Sequence, residues 1–139
     1  MTGPAHPEHS QHRWRQIGDV ANELGLSLKT IRHYDEVGLV PPSGRSPGGF
    51  RLYTDEDVDR LRLIKYMKPL GFTLEQMRVL LDAVAELSRG NAVDLNARAV
   101  IGEFAAEAEQ RCDGLRLELE RAEGFAAMLR HLAPRRPHP

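Results

Sequence analysis

Lys29, Thr30 and His33 fall on one side of a helix at 100° per residue, with Arg32 and Tyr34 on its flanks. Ammonium, guanidinium, imidazole and hydroxyl groups gathered in this way can attract a polyanion and hydrogen-bond to it. Arg45 and Arg51 add two cations in the Gly/Pro-rich stretch that follows. The plain alternative for Arg32, Arg45 and Arg51 is solvated surface charge. For Tyr34 it is core packing, which is compatible with a contact through its hydroxyl. No nucleophile–base set, phosphate-cradling glycine loop or metal cluster accompanies these groups, so neither an enzyme nor a bound cofactor is expected. The lone Cys112 excludes an internal disulfide and a Cys-rich zinc module within one chain. Its thiol could react or bridge two subunits, but a small buried seam cysteine also fits and is preferred. His6, His9 and His12 are spaced by three in a Pro-containing stretch and read as solvated rather than metal-binding. Trp14 reads as a packing anchor for the first helix.

The elements that must position these residues follow from hydrophobic spacing. Ile17, Val20, Ala21 and Leu24 have the i, i+3, i+4, i+7 pattern of a one-sided helix. Gly25 permits a sharp turn and Ser27 is an N-cap for a second helix, with Leu28, Ile31 and Asp35 on its inner side. Two short helices joined by a Gly turn, the second with a polar and basic outer face, describe a helix-turn-helix. Gly38 suits the helix end. The prolines and glycines between Pro41 and Gly49 forbid further helix, and Phe50, Leu52 and Tyr53 favour extended chain. A two-stranded hairpin, or wing, is expected, with Arg45 and Arg51 at or near its tip.

Thr54 and Asp57, then Thr73 and Gln76, have the spacing of capping boxes. The first opens a helix with Val58, Leu61, Ile64 and Met67 inward, ended by Pro69 and Gly71. The second opens one with Leu74, Met77, Leu80, Leu81, Val84 and Leu87 inward. From about Asp94 to Leu132 the pattern is a heptad: Ile101, Ala105, Ala108, Cys112, Leu115, Leu119, Ala122, Ala126 and Leu129. A narrow seam on so long a helix cannot be left in water, and it predicts pairing with a second copy. The alanines along it favour close, antiparallel approach.

Composition agrees with this division. The chain has 139 residues, 41% hydrophobic and 28% charged, enough for one domain or two very small ones. No apolar stretch approaches the roughly 18 residues that cross a bilayer, and Met1–His9 is not a signal peptide; a cytoplasmic protein is expected. The net charge of −1 removes the simplest argument for nucleic-acid binding, a globally basic chain. Locally, residues 14–72 carry nine Lys/Arg against eight Asp/Glu, whereas residues 73–133 carry seven against eleven. Polyanion contact thus belongs to the first part and protein packing to the second. The expected divisions are a flexible tail (1–13), a winged helix-turn-helix with a second helix pair (14–87), a dimerisation helix (92–133) and a C-terminal tail (134–139).

The runs Ile17-Gly18-Asp19-Val20-Ala21, Thr30 to Pro42, Arg45, Gly49 to Asp57 and Leu70 to Leu74 stand in the order of a known family. Over roughly residues 16–87 the chain resembles the MerR family of bacterial transcription regulators. The resemblance implies a mainly α fold: a winged helix-turn-helix, a second helix pair and a long helix forming an antiparallel coiled coil between two subunits. It implies a homodimer that binds pseudo-palindromic promoter DNA and controls transcription by RNA polymerase through bending and untwisting the duplex. Lys29, Arg32 and Tyr34 then serve the recognition helix, with Thr30 and His33 facing base edges. Arg45, Phe50 and Arg51 serve the wing, and Lys68 a flanking phosphate. His33 and Asp35 stand where Phe or Tyr and Glu are commoner, and Phe50 where Tyr is. Metal-sensing members use two or more cysteines, and this chain has one. The competing reading is a coiled-coil adaptor that binds protein instead of DNA.

Overall fold

Three of the described helices start where a side chain satisfies an amide left open at the first turn. In the computed structural model, which describes residues 13–90 and 95–133, β1 (Arg15–Gln16) leads into α1 (Ile17–Leu24). Gly25, at φ 67°, closes α1 with its amide on the Ala21 carbonyl. Ser27 caps α2 (Leu28–Glu36), accepting from the Thr30 amide at 3.0 Å. The wing strands β2 (Gly44–Arg45) and β3 (Arg51–Tyr53) follow, then α3 (Asp55–Met67), α4 (Leu74–Ser88) and α5 (Leu95–Leu132). Both capping boxes form, Thr54 with Asp57 and Thr73 with Gln76. Residues 1–12 of the expected tail at 1–13, with His6, His9 and His12, and the expected tail at 134–139 lie outside the described residues, as do residues 91–94.

One core joins the first four helices to the wing. Val20, Leu24, Ile31, Tyr34, Val40, Tyr53, Val58, Leu61, Ile64 and Met67 are buried in it, with Phe72, Met77, Leu80 and Leu81 from the second helix pair. The inward residues expected of α1 and α3 are the ones found. Leu74 departs from expectation: as the first residue of α4 it faces solvent.

The wing is larger than a hairpin. Its sheet has three antiparallel strands in the order β1-β3-β2, pairing Arg15 with Tyr53 and Gln16 with Leu52, and Gly44 with Leu52 and Arg45 with Arg51. A two-residue strand has too few positions to display a period, and its partner is far along the chain, so β1 left no local signature. Trp14 belongs to this wing rather than to α1. Its ring lies so close to Gly44 that a Cβ there would come within 2.9 Å of it. Arg15 ties β1 down through Glu23 at 2.6 Å and Asp55 at 2.7 Å.

Asp57 is the one buried charged residue among those described. One of its oxygens, Oδ2, accepts from the amides of Ser43 at 3.1 Å and Thr54 at 3.0 Å. The carboxylate therefore fastens the chain before the wing to the start of α3. Asp57→Ala should cost about 2–4 kcal/mol, because two amides lose a charged acceptor. Urea unfolding monitored by circular dichroism measures it, and a cost below 1 kcal/mol would contradict this role.

α5 runs for 38 residues, roughly 57 Å at the α-helical rise. Its first turns are not a free seam. Ile101, Phe104 and Ala108 pack on the chain's own core, and Arg111 fixes them there. That guanidinium stacks 3.9 Å from the Phe72 ring centroid, donates to the Leu70 carbonyl and pairs with Glu107. Beyond Arg111 the helix leaves the core. Leu115, Leu119 and Leu129 of the heptad stand about half exposed, as do Leu117, Phe125 and Met128 beside it, and Leu132 is more exposed still. The uniform heptad thus divides into a proximal part against α4 and the Leu70–Phe72 turn, and a distal part without a partner among the described residues. The apolar surface of the distal part is also wider than the nine-residue seam.

Candidate nucleic-acid interface

α2 is held by two anchors, Ile31 and Tyr34, both buried. Their positions three apart direct the other side of the helix outward. Lys29, Arg32 and His33 are exposed there. Thr30 is half-buried, its hydroxyl accepting from that of Ser27 at 2.8 Å. Tyr34 is only 4% exposed. It nevertheless lines one concave surface with Lys29, Thr30, Arg32, His33, Glu36 and Lys68. Burial raises the Tyr34 pKa. The Tyr34 ring also supports His33, whose centroid lies 5.6 Å away. Packing is therefore the larger part of what Tyr34 does.

Lys29, Arg32 and Lys68 have no carboxylate within ion-pairing distance among the described residues, in contrast to Arg15, Arg51, Arg62 and Arg111. Lys68 comes from the end of α3, far from α2 in sequence, and reaches the same surface because the core brings the two helices together.

The wing loop turns at Ser46–Gly49, where the Gly49 amide donates to the Ser46 carbonyl at 2.8 Å and Gly49 takes φ 86°. Phe50 projects from it, 70% exposed. Arg45 and Arg51 flank the loop and lean back on α2. Arg51 Nε donates to Asp35 Oδ2 at 2.7 Å, and Arg45 Nη2 lies 3.7 Å from the same oxygen. The hydrogen bond to Asp35 raises the Arg51 pKa. Arg45 Nη1 also donates to the Gly49 carbonyl at 3.1 Å. Asp35 therefore sets the wing's two cations against α2. Helical spacing puts Asp35 on the inner face but reports no partner for it, because the contact spans 16 residues.

Beneath the wing, Tyr53 is fully buried and burial pushes its pKa up to about 12. Its hydroxyl has no hydrogen-bond partner among the described residues. A tyrosine pKa raised on folding favours the protonated state. The corresponding stability is complete below the unfolded value of about 10 and is lost as pH rises through the folded value of about 12. Tyr53→Phe should remove this alkaline loss without lowering stability at pH 7. Unfolding midpoints at pH 7 and pH 11 test this, and an undiminished alkaline loss in the variant would contradict it.

A helix pair with an outward basic second helix, followed by a small antiparallel sheet, defines a winged helix-turn-helix protein. Residues 15–84 match the MerR HTH family of regulatory proteins, and residues 58–123 match the region described as MerR, DNA binding. The chain is 33% identical over 117 residues to the HTH-type transcriptional regulator HmrR of Sinorhizobium medicae, covering 84% of this chain and 73% of HmrR. It is 46% identical over 66 residues to the HTH-type transcriptional activator TipA of Streptomyces coelicolor, covering 48% of this chain and 26% of TipA. The match thus spans about a quarter of that longer relative. The crystal structure of a MerR family transcriptional regulator from Bacillus thuringiensis has the same fold, with a TM-score of 0.69 at 24% identity over 84% of this chain and 99% of that one. The chain belongs to the MerR family, whose members are regulators and not enzymes. None of the described helices is long and apolar enough to cross a membrane.

Proposed function

We propose that the chain binds promoter DNA as a homodimer and controls transcription by distorting the duplex. The observation that carries this reading is the convergence of Lys29, Arg32 and Lys68, none within ion-pairing distance of a carboxylate among the described residues, on one concave surface with Thr30, His33 and the lone acid Glu36. Unpaired cations on a concave face repel one another in the free protein, and a phosphate backbone relieves that repulsion with release of counterions. α2 enters the major groove with Lys29, Thr30 and His33 toward base edges, and Arg32 toward a groove wall. Arg45, Phe50 and Arg51 hold backbone beside it, and Lys68 takes a flanking phosphate.

The distal half of α5 joins two such units. Antiparallel pairing of Leu115, Leu119, Ala122, Ala126 and Leu129, with Cys112 packed in the seam, gives a twofold axis. Two recognition helices then reach half-sites about one or two DNA turns apart. The wings hold the duplex outside the grooves, and the resulting bend realigns promoter elements for RNA polymerase.

Recovery of the genomic fragments bound by the purified chain tests this reading. A shared inverted repeat within promoters is expected. Fragments without a common sequence, or no retention at low salt, would leave the protein-binding adaptor as the better account.

A further inference from the structure

A nine-residue helix is too short to hold its own orientation, so its ends must be fixed from outside. Ser27 fixes the start of α2. The end is fixed from α4. Arg78, half-buried, donates from Nη2 to the Val37 carbonyl at 3.2 Å and from Nη1 to the Gly38 carbonyl at 3.3 Å. Glu75 and Asp82 stand three before and four after Arg78, at spacings that favour ion pairs within a helix, yet the guanidinium forks onto backbone 40 and 41 residues away. A cation there also faces the negative end of the α2 dipole. The carbonyls it takes belong to the turn at Gly38, φ 73°, after which Leu39 and Val40 donate back to the Tyr34 carbonyl at 2.9 and 3.0 Å.

We infer that Arg78 is a positioning residue for DNA reading, setting the angle of the recognition helix against the helix pair that carries α5. The inference rests on the proposed role of α2 and adds a residue that touches no DNA. α4 packs along the first turns of α5, so the Arg78 fork joins the reading surface to the helix that spaces the two subunits. A small rotation of α2 about Ile31 and Tyr34 would move Lys29 and His33 relative to base edges. It would leave net charge on the DNA-facing surface unchanged.

The probe is a duplex selected by the wild-type chain from a randomised pool, beside a scrambled duplex of equal length. If the wild type selects no sequence, the DNA-reading proposal itself falls. Given a selected duplex, Arg78→Ala should bind it about tenfold more weakly, the discrimination carried by one base contact. Binding to the scrambled duplex and the slope of log affinity against log salt should stay as in wild type. A slope shallower by about one unit per subunit would identify Arg78 as a phosphate ligand and overturn the inference. Wild-type affinity for the selected duplex would overturn it as well. Should Arg78→Ala fail to fold, Arg78→Lys decides. It keeps the charge but cannot fork across both carbonyls, so weaker specific binding at an unchanged slope supports the inference and wild-type affinity refutes it.

Discussion

Leu115→Glu should convert the protein to a monomer in sedimentation equilibrium at concentrations where the wild type is dimeric. Leu115 is 49% exposed in the single chain and lies just past Arg111, where α5 leaves its own core. In an antiparallel pair the substitution occurs twice, once from each side of the twofold axis. Loss of two buried leucine side chains removes about 3–6 kcal/mol, before any cost of placing carboxylates against an apolar seam. The dissociation constant should therefore rise by at least about a hundredfold. Thermal unfolding of the winged domain should change little, because Leu115 touches none of its core. An unchanged dimer mass would mean that the subunits join elsewhere.

Arg32→Ala should abolish measurable operator binding at physiological salt while leaving the fold intact. Arg32 is exposed and has no ion pair among the described residues, so truncation disturbs no neighbour. The dimer loses two charge-assisted phosphate contacts, each worth about tenfold or more in affinity. The slope of log affinity against log salt should become shallower by about two. Arg51→Ala differs in kind, since it also releases Asp35 and with it one of the contacts aligning the wing on α2. Titrations from low to moderate salt separate the two variants. An Arg32→Ala dimer with wild-type slope and affinity would remove that side chain from the interface.

What could be read from the sequence followed from local rules. Ser27, Gly25, Thr54 with Asp57 and Thr73 with Gln76 act within a few residues of themselves, so type and spacing were enough to place α1 to α4. The outward face of α2 was legible in part: Ile31 is inward as expected, but Tyr34, expected on the flank, is the second buried anchor, and Leu28, expected inward, is exposed. What escaped depends on parts of the chain far apart in sequence. β1 is too short to display a period. Trp14 rests on Gly44, Arg15 on Asp55, Asp35 on Arg51 and Arg78 on Val37 and Gly38. Each is a polar or single-ring contact across the fold and leaves no trace in hydrophobic spacing. The heptad of α5 shows a related limit. Ile101 and Ala108 obey the same repeat as Leu115 and Leu119, but periodicity reports that a face is buried and not what buries it.

The stoichiometry of the complex tests the central claim most directly. With a duplex selected by the wild-type chain, native mass spectrometry should record two chains per duplex, and no complex with one chain at protein concentrations below the dimer dissociation constant. A stable complex of one chain with one duplex, or a dimer that ignores the duplex, would contradict the account.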